Sequence, residues 1–206
     1  MICPLCLTTL QNPWDDFFYL CKVCDALVKN SKFYLTPEQE KKRYEKHQND
    51  VHDVGYQSFT FPLTKIILEN QKPNHLGLDY GCGKASVVTY QLLQNNYQVK
   101  CYDPYFFPDE AYLNFFYDYI FCCEVFEHFQ QPKHEIEKLL KILVPNGRLY
   151  VMTHLYHSDI PFENWYYRRD PTHVFIYTEK TMRFIAKKYL LHLEHLSERI
   201  VIFKKC

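Results

Sequence analysis

The segment Asp79-Tyr80-Gly81-Cys82-Gly83-Lys84-Ala85 constrains this chain more than any other. It follows a short apolar run, HLGLDY at 75–80, and leads into 84–95, which has helical character. Glycines at such a junction let the chain turn sharply and let a ligand approach the backbone. The helix that follows offers unpaired N–H groups at its start. A strand, a glycine loop and a helix in this order build a mostly parallel α/β sheet. The unit also sets a second requirement, an acidic residue at the end of the next strand to hold ribose hydroxyls. Gln98 to Asp103 is the expected strand, and Asp103 stands at its end before Pro104.

The glycine pattern is DxGxGxA, which differs from the dinucleotide fingerprint GxGxxG. An acid ahead of the first glycine suits a methionyl ammonium better than a pyrophosphate. The alternative is a glycine turn that binds nothing. Further along, DYIFCC (118–123) is an apolar run, 133–143 carries helical periodicity, and Arg148 to His154 follows a Pro145-Asn146-Gly147 turn as a strand. A helix near 179–188 precedes two short strands near 190–195 and 199–204, spaced for an antiparallel hairpin. Upstream, Thr36 and Pro37 suit the cap and first turn of a charged helix over 36–50, and a second helix is expected over 57–70.

Residues 1–30 form an expected small module of a different kind. Cys3-Pro-Leu-Cys6 and Cys21-Lys-Val-Cys24 lie fourteen residues apart. Each pair makes a tight turn, and together they aim four thiolates at one tetrahedral ion. Cys3, Cys6, Cys21 and Cys24 are therefore candidate ligands of a structural zinc, with a redox dithiol or a metal-free remnant as alternatives. A closed four-thiolate site leaves no position for water, so metal catalysis is not expected there. A chelator is expected to destabilise 1–30 and leave the rest folded. The resulting division is 1–30, a zinc-ribbon-like module; 31–73, a helical N-terminal extension or lid; and 74–206, the α/β domain.

With these residues placed, the chain resembles the class I S-adenosylmethionine (SAM) dependent methyltransferases over 74–206, and within them small bacterial members with a zinc-ribbon-like head. Asp79, Gly81, Gly83 and Ala85 match the first motif and Asp103 the ribose acid. Tyr117-Asp118-Tyr-Ile-Phe-Cys-Cys-Glu124-Val-Phe-Glu127-His128 resembles the fourth-strand segment, Asn146 to Thr153 the fifth strand, and Trp165-Tyr-Tyr-Arg168-Arg-Asp170-Pro-Thr-His173-Val a segment of one subgroup. The likeness implies a Rossmann-like seven-stranded sheet of order 3214576 with an antiparallel last strand. It implies SAM as cofactor, with Asp79, Tyr80, Gly81, Cys82, Gly83, Asp103, Pro104 and Glu124 as its contacts. One departure is visible: about fourteen residues separate Asp103 from the strand at 118, too few for the usual helix and third strand.

Ligands of open α/β sheets bind beyond the C-terminal strand ends. That makes the 156–173 segment the candidate acceptor side, with Trp165, Tyr167, Arg168, Asp170 and His173 as substrate contacts. His173 is the candidate general base, with Glu124, Glu127 and His128 at a position that in the family often lies beside the methyl group. The alternative is that Trp165 packs the core, Asp170 and His173 pair structurally, and Glu127-His128 caps a helix or holds the loop. Tyr44, His47, Asn49 and Tyr56 are either a solvated helix face or a lid over the cofactor. His154 and His157 are ordinary loop histidines.

Composition bears on the acceptor. The 24 basic and 24 acidic side chains balance, without the basic excess of a dedicated nucleic-acid binder. Cys123-Glu124-Val125-Phe126 stands where a nucleobase-amine methyltransferase carries Asn-Pro-Pro-Tyr. A small-molecule acceptor is expected. The alternatives are RNA or protein methylation guided by the zinc head, and a non-catalytic SAM- and zinc-binding interaction protein. No secretory signal or membrane span is evident, and nine cysteines suit a reducing compartment, so a cytoplasmic protein without a membrane partner is expected.

Overall fold

In the computed structural model, residues 1–46 and 50–206 are described. The head contains β1 (Phe18–Leu20) and β2 (Leu27–Lys29). Then come α1 (Pro37–Tyr44), α2 (Val54–Asn70), β3 (Leu76–Tyr80), α3 (Val87–Gln94), β4 (Gln98–Tyr102) and β5 (Tyr117–Cys123). The remainder is α4 (Pro132–Ile142), β6 (Leu143–Met152), α5 (Tyr166–Arg169), β7 (Phe175–Ile176), α6 (Glu179–Lys188), β8 (Leu191–Leu196) and β9 (Ile200–Lys205).

Six strands form the main sheet in the order β4-β3-β5-β6-β9-β8. The pairs β3–β4, β3–β5 and β5–β6 are parallel. The C-terminal hairpin closes the other edge, with β9 antiparallel to both β6 and β8. This is the expected Rossmann-like sheet less its third edge strand, so six strands stand where seven were expected. The physical reason is length. A parallel crossover takes about a dozen residues before any strand begins. Between β4 and β5 the chain makes only an Asp103–Phe107 bridge and a short 3₁₀ turn at Glu110–Asn114.

Alternation along the strands builds two cores. Tyr119 and Phe121 face α2 and α3, where Leu63, Ile67, Val88 and Leu92 are buried. Ile120 and Cys122 face α4 and α6, against Ile136, Leu139, Met182 and Ile185. Gly77 serves this packing, because a Cβ there would lie 2.3 Å from Cζ of Tyr119 on the neighbouring strand.

The cysteine-bearing head belongs to the second core. Cys3, Leu5, Cys24, Ala26 and Val28 are buried in one cluster with Ile120, Leu149 and Phe203. Strand β2 pairs with β7, so the head and the segment before α6 share a three-stranded sheet, β1-β2-β7. Helix α1 starts as expected, with Thr36 capping Gln39, but ends at Tyr44 rather than 50. His47 and Asn49 lie outside the described residues. Helix α3 begins at Val87, later than 84, because Ser86 caps it through Thr89 N. Among the described residues no helix is long and apolar enough to cross a membrane.

Candidate active site

A cleft of about 720 Å³ opens beyond the C-terminal ends of β3, β4 and β5. Its floor is the glycine loop. Gly81 has φ +85° and Gly83 φ +61°, a region that side chains rarely adopt. A Cβ on Gly81 would sit 2.6 Å from Cγ2 of Val125, so the loop packs flush against the residues after β5. Asp103, nearly buried, ties the loop to the end of β4. Its Oδ2 accepts from Gly83 N at 3.0 Å, and Oδ1 accepts from the Tyr105 and Phe106 N–H groups.

Asp79 lies 2% exposed at the end of β3, with Oδ2 accepting from the Thr89 hydroxyl at 2.6 Å. Burial pushes its carboxyl up to about 6 despite hydrogen bonds from Ser86 and Thr89. A buried carboxylate that is costly to ionise alone is ready for a cationic partner. Tyr80 and Cys82 also line the cleft, as does Pro104. The Tyr80 hydroxyl donates to Glu135, which Lys138 joins at 3.0 Å.

Glu124 leaves β5 with φ +53°, a left-handed conformation that costs about 1–2 kcal/mol outside glycine. Its N–H is held by Met152 O at 2.8 Å, while Oε1 is buried with no hydrogen-bond partner. Burial, with the Glu127 charge adding to it, raises Glu124 to about 9, against the opposing pull of Arg199. Backbone strain and an orphaned buried oxygen thus coincide at this one residue of the cleft.

His128, Asp170 and His173, expected on the acceptor side, all lie in the cleft wall. The His173 ring donates from Nδ1 to Tyr167 O at 2.7 Å, and burial first, then His128, lowers its pKa to about 4. It therefore stays neutral at physiological pH and is a weaker proton acceptor than its residue type suggested. Asp170 is bound by Arg43 and by Thr172, which outweigh the opposing effect of burial and hold its carboxyl well below the usual range.

Three expected substrate contacts lie elsewhere. Trp165 and Tyr167 are 5% and 1% exposed, packed in a satellite core with Phe18 and Ile176. The Tyr167 hydroxyl meets Thr153 Oγ1 at 2.8 Å. Arg168 turns away to the head, where Nε donates to Asp15 Oδ2 at 2.9 Å and the guanidinium lies over Phe17 and Phe162. Lys29 adds a second tie, donating to Pro171 O at 2.8 Å. The head thus braces the segment that carries His173.

Sequence reasoning offered Tyr44 and Tyr56 as a lid but missed Glu40 and Arg43 on α1. Glu40 is buried and accepts from the Tyr105 hydroxyl at 2.6 Å and Gln130 Nε2 at 3.2 Å. Tyr44 meets His128 Nδ1 at 3.2 Å, and with Pro37, Tyr56 and Phe59 it lines the cleft. Glu40, Arg43 and Tyr44 recur at the helical three-and-four spacing, a signal hidden among solvated charges.

In the head, the two cysteine turns are alike. Leu7 and Asp25, each following a second cysteine, have φ of 65° and 62°. Leu7 N donates to Cys3 O at 2.9 Å and Asp25 N to Cys21 O at 2.8 Å. The four Sγ atoms lie within 4.8 Å of one another, with Cys3–Cys24 at 3.6 Å and Cys6–Cys21 at 3.4 Å. Thiolates around one zinc ion stand about 3.8 Å apart, given Zn–S bonds of about 2.3 Å.

A family profile described as a methyltransferase domain matches residues 55–196, and the chain belongs to that family. Solved structures with the same fold include magnesium protoporphyrin IX methyltransferase of Synechocystis PCC 6803 with bound SAM. It is 14% identical, with 85% of this chain and 94% of that chain covered at a TM-score of 0.55. An O-methyltransferase family protein of Burkholderia thailandensis matches at 9% identity, 88% and 77% coverage and a TM-score of 0.53. Human N-acetylserotonin methyltransferase in complex with SAM matches at 13% identity, 73% and 53% coverage and a TM-score of 0.55. A comparison with curated proteins found no match.

Proposed function

We propose that the chain is a SAM-dependent methyltransferase acting on a small-molecule acceptor, with a structural zinc in its N-terminal head. The observation that carries the cofactor reading is the pairing of a buried Asp79 with a flush, positive-φ Gly81 loop tied to Asp103. Asp79 offers its carboxylate to the methionyl ammonium. Asp103 keeps acceptor capacity for ribose hydroxyls, since each carboxylate oxygen accepts more than one hydrogen bond. Cys3, Cys6, Cys21 and Cys24 have the donor set and spacing for zinc.

Bound SAM supplies a methyl group already activated on a sulfonium. The protein's work is to orient an acceptor in line with it and exclude water. Helix α1 and Tyr56 cover the cleft for the second task. Glu124, His128 and His173 face the acceptor. The small-molecule assignment draws on the balanced charge, on a cleft walled by α1, and on likeness to structures named for small-molecule methylation.

The raised Asp79 carboxyl makes a pH test available. The ammonium binds the carboxylate form only, so affinity is full above the Asp79 pKa and falls as protons compete below it. SAM affinity is expected to be level from pH 7 to 8 and to weaken toward about tenfold per unit below about pH 6. Asp79→Asn should bind weakly and lose that dependence. Wild-type affinity unchanged between pH 5 and 7.5 would remove Asp79 from the cofactor site.

A further inference from the structure

Behind the cleft wall, Glu127 is completely buried, a costly position for a carboxyl. Thr153 Oγ1 donates to its Oε2 at 2.9 Å, and Oε1 has no hydrogen-bond partner. Around that oxygen stand His173, with Nε2 at 4.0 Å, and His128, whose ring lies 4.8 Å from the His173 ring, centroid to centroid. One ligand atom from each of Glu127, His128 and His173 lies within 4.8 Å of the other two.

The two rings are held alike. His173 Nδ1 contacts Tyr167 O at 2.7 Å and His128 Nδ1 contacts Thr172 O at 3.1 Å. A carbonyl can only accept, so His173 Nδ1 carries the proton and its Nε2 keeps its lone pair; His128 Nδ1 also meets the Tyr44 hydroxyl at 3.2 Å, and the same tautomer there makes that hydroxyl a second acceptor. Fixing Nδ1–H on a backbone carbonyl is how proteins orient a metal-bound histidine. Ligands of one ion with bonds of about 2.1 Å stand up to about 4.2 Å apart, so modest side-chain rotation closes the set.

We propose that Glu127, His128 and His173 bind a divalent first-row metal ion at the acceptor end of the cleft, separate from the four-cysteine site. Two imidazoles and one carboxylate suit manganese, iron, cobalt or zinc, and leave coordination positions open. His128 and His173 line the cleft, so those positions face it, and Glu124 with its orphaned Oε1 stands alongside. The ion's role, though not its binding, rests on the methyltransferase reading. It takes an acceptor carrying two neighbouring oxygens and makes one hydroxyl more acidic. That proton leaves to solvent. The oxygen lone pair then forms the C–O bond as the S–CH₃ bond breaks, and its electron pair returns to sulfur as a thioether.

The test uses the full chain with its head zinc-loaded, titrated with Mn²⁺ and followed by the electron paramagnetic resonance of the free ion. One Mn²⁺ is expected to bind per chain. Glu127→Gln and His128→Asn should each weaken it tenfold or more while SAM affinity and melting temperature stay near wild type. Catechol should lower the water relaxation enhancement of bound Mn²⁺, and phenol, with one oxygen, should not. Absence of Mn²⁺ binding in protein that binds SAM overturns the metal site and leaves the methyltransferase reading standing. Mn²⁺ binding unaltered in both variants overturns the ligand assignment. Mn²⁺ binding in protein that fails to bind SAM supports the site and sinks the methyltransferase reading.

Discussion

Removing the zinc proposed at Cys3, Cys6, Cys21 and Cys24 is expected to destabilise the chain as one unit. The cysteine pairs alone suggested a detachable module whose loss would leave the sheet intact. The packing argues otherwise. Cys3, Leu5, Cys24 and Val28 share a core with Leu149 and Phe203 of the main sheet. Strand β2 gives β7 its only sheet partner among the described residues. Asp15 and Lys29 hold the segment 168–171. Structural zinc contributes about 10–16 kcal/mol in small zinc peptides. A whole domain is stable by about 5–15 kcal/mol. A coupled loss of even about 5 kcal/mol lowers the melting temperature by about 10–20 °C in a chain of this size. Thermal melting with and without a strong chelator should give one cooperative transition displaced by at least that much, and Cys24→Ser should reproduce it. An unchanged main transition would show the head to be independent.

Gly81→Ala carries the second large effect. The backbone at Gly81 has φ +85°, where alanine costs about 1–2 kcal/mol. The new methyl also meets Val125 at 2.6 and 2.7 Å from its two γ-carbons. Neither contact is with a flexible side-chain end, since Val125 is β-branched and stiff at χ1. The loop must move away from β5, carrying Gly83 off Asp103 Oδ2. A total of about 2–3 kcal/mol corresponds to SAM binding weakened by about 30- to 150-fold. The pair Gly81→Ala with Val125→Ala should recover part of that loss, because the clash is relieved while the φ strain remains. Calorimetric titration of the two variants checks both numbers, and near-wild-type affinity in Gly81→Ala would place the cofactor elsewhere.

The glycine loop, Asp103 and the C-terminal hairpin were legible in the sequence because each is a local device. A turn, a strand end and a two-strand return are specified within a dozen residues. The shortage of chain between Asp103 and Tyr117 was legible too, although the family likeness still implied seven strands. What escaped is long-range. Nothing near Asp15 announces Arg168, and nothing near Leu27 announces Ile176, since both pairings join opposite ends of the chain. Arg168 and Trp165 looked like substrate contacts from their residue types, yet their partners sit in the head and the satellite core. Arg43 and Glu40 looked solvated on a charged helix, yet each meets a fixed partner across the cleft, Asp170 and Tyr105. Glu127 is the plainest case. Sequence offered it either beside the methyl group or as a cap or loop anchor, whereas its complete burial with one unpartnered oxygen brings it together with His128 and His173.

The measurement closest to the central claim is calorimetric titration of folded, zinc-loaded protein with SAM and with its demethylated product, S-adenosylhomocysteine. Binding of both at one site per chain, with micromolar affinity at pH 7.5, is the predicted result. Binding of neither would contradict the methyltransferase reading and leave the cleft, the cysteine head and the Glu127 cluster as parts of a protein that does something else.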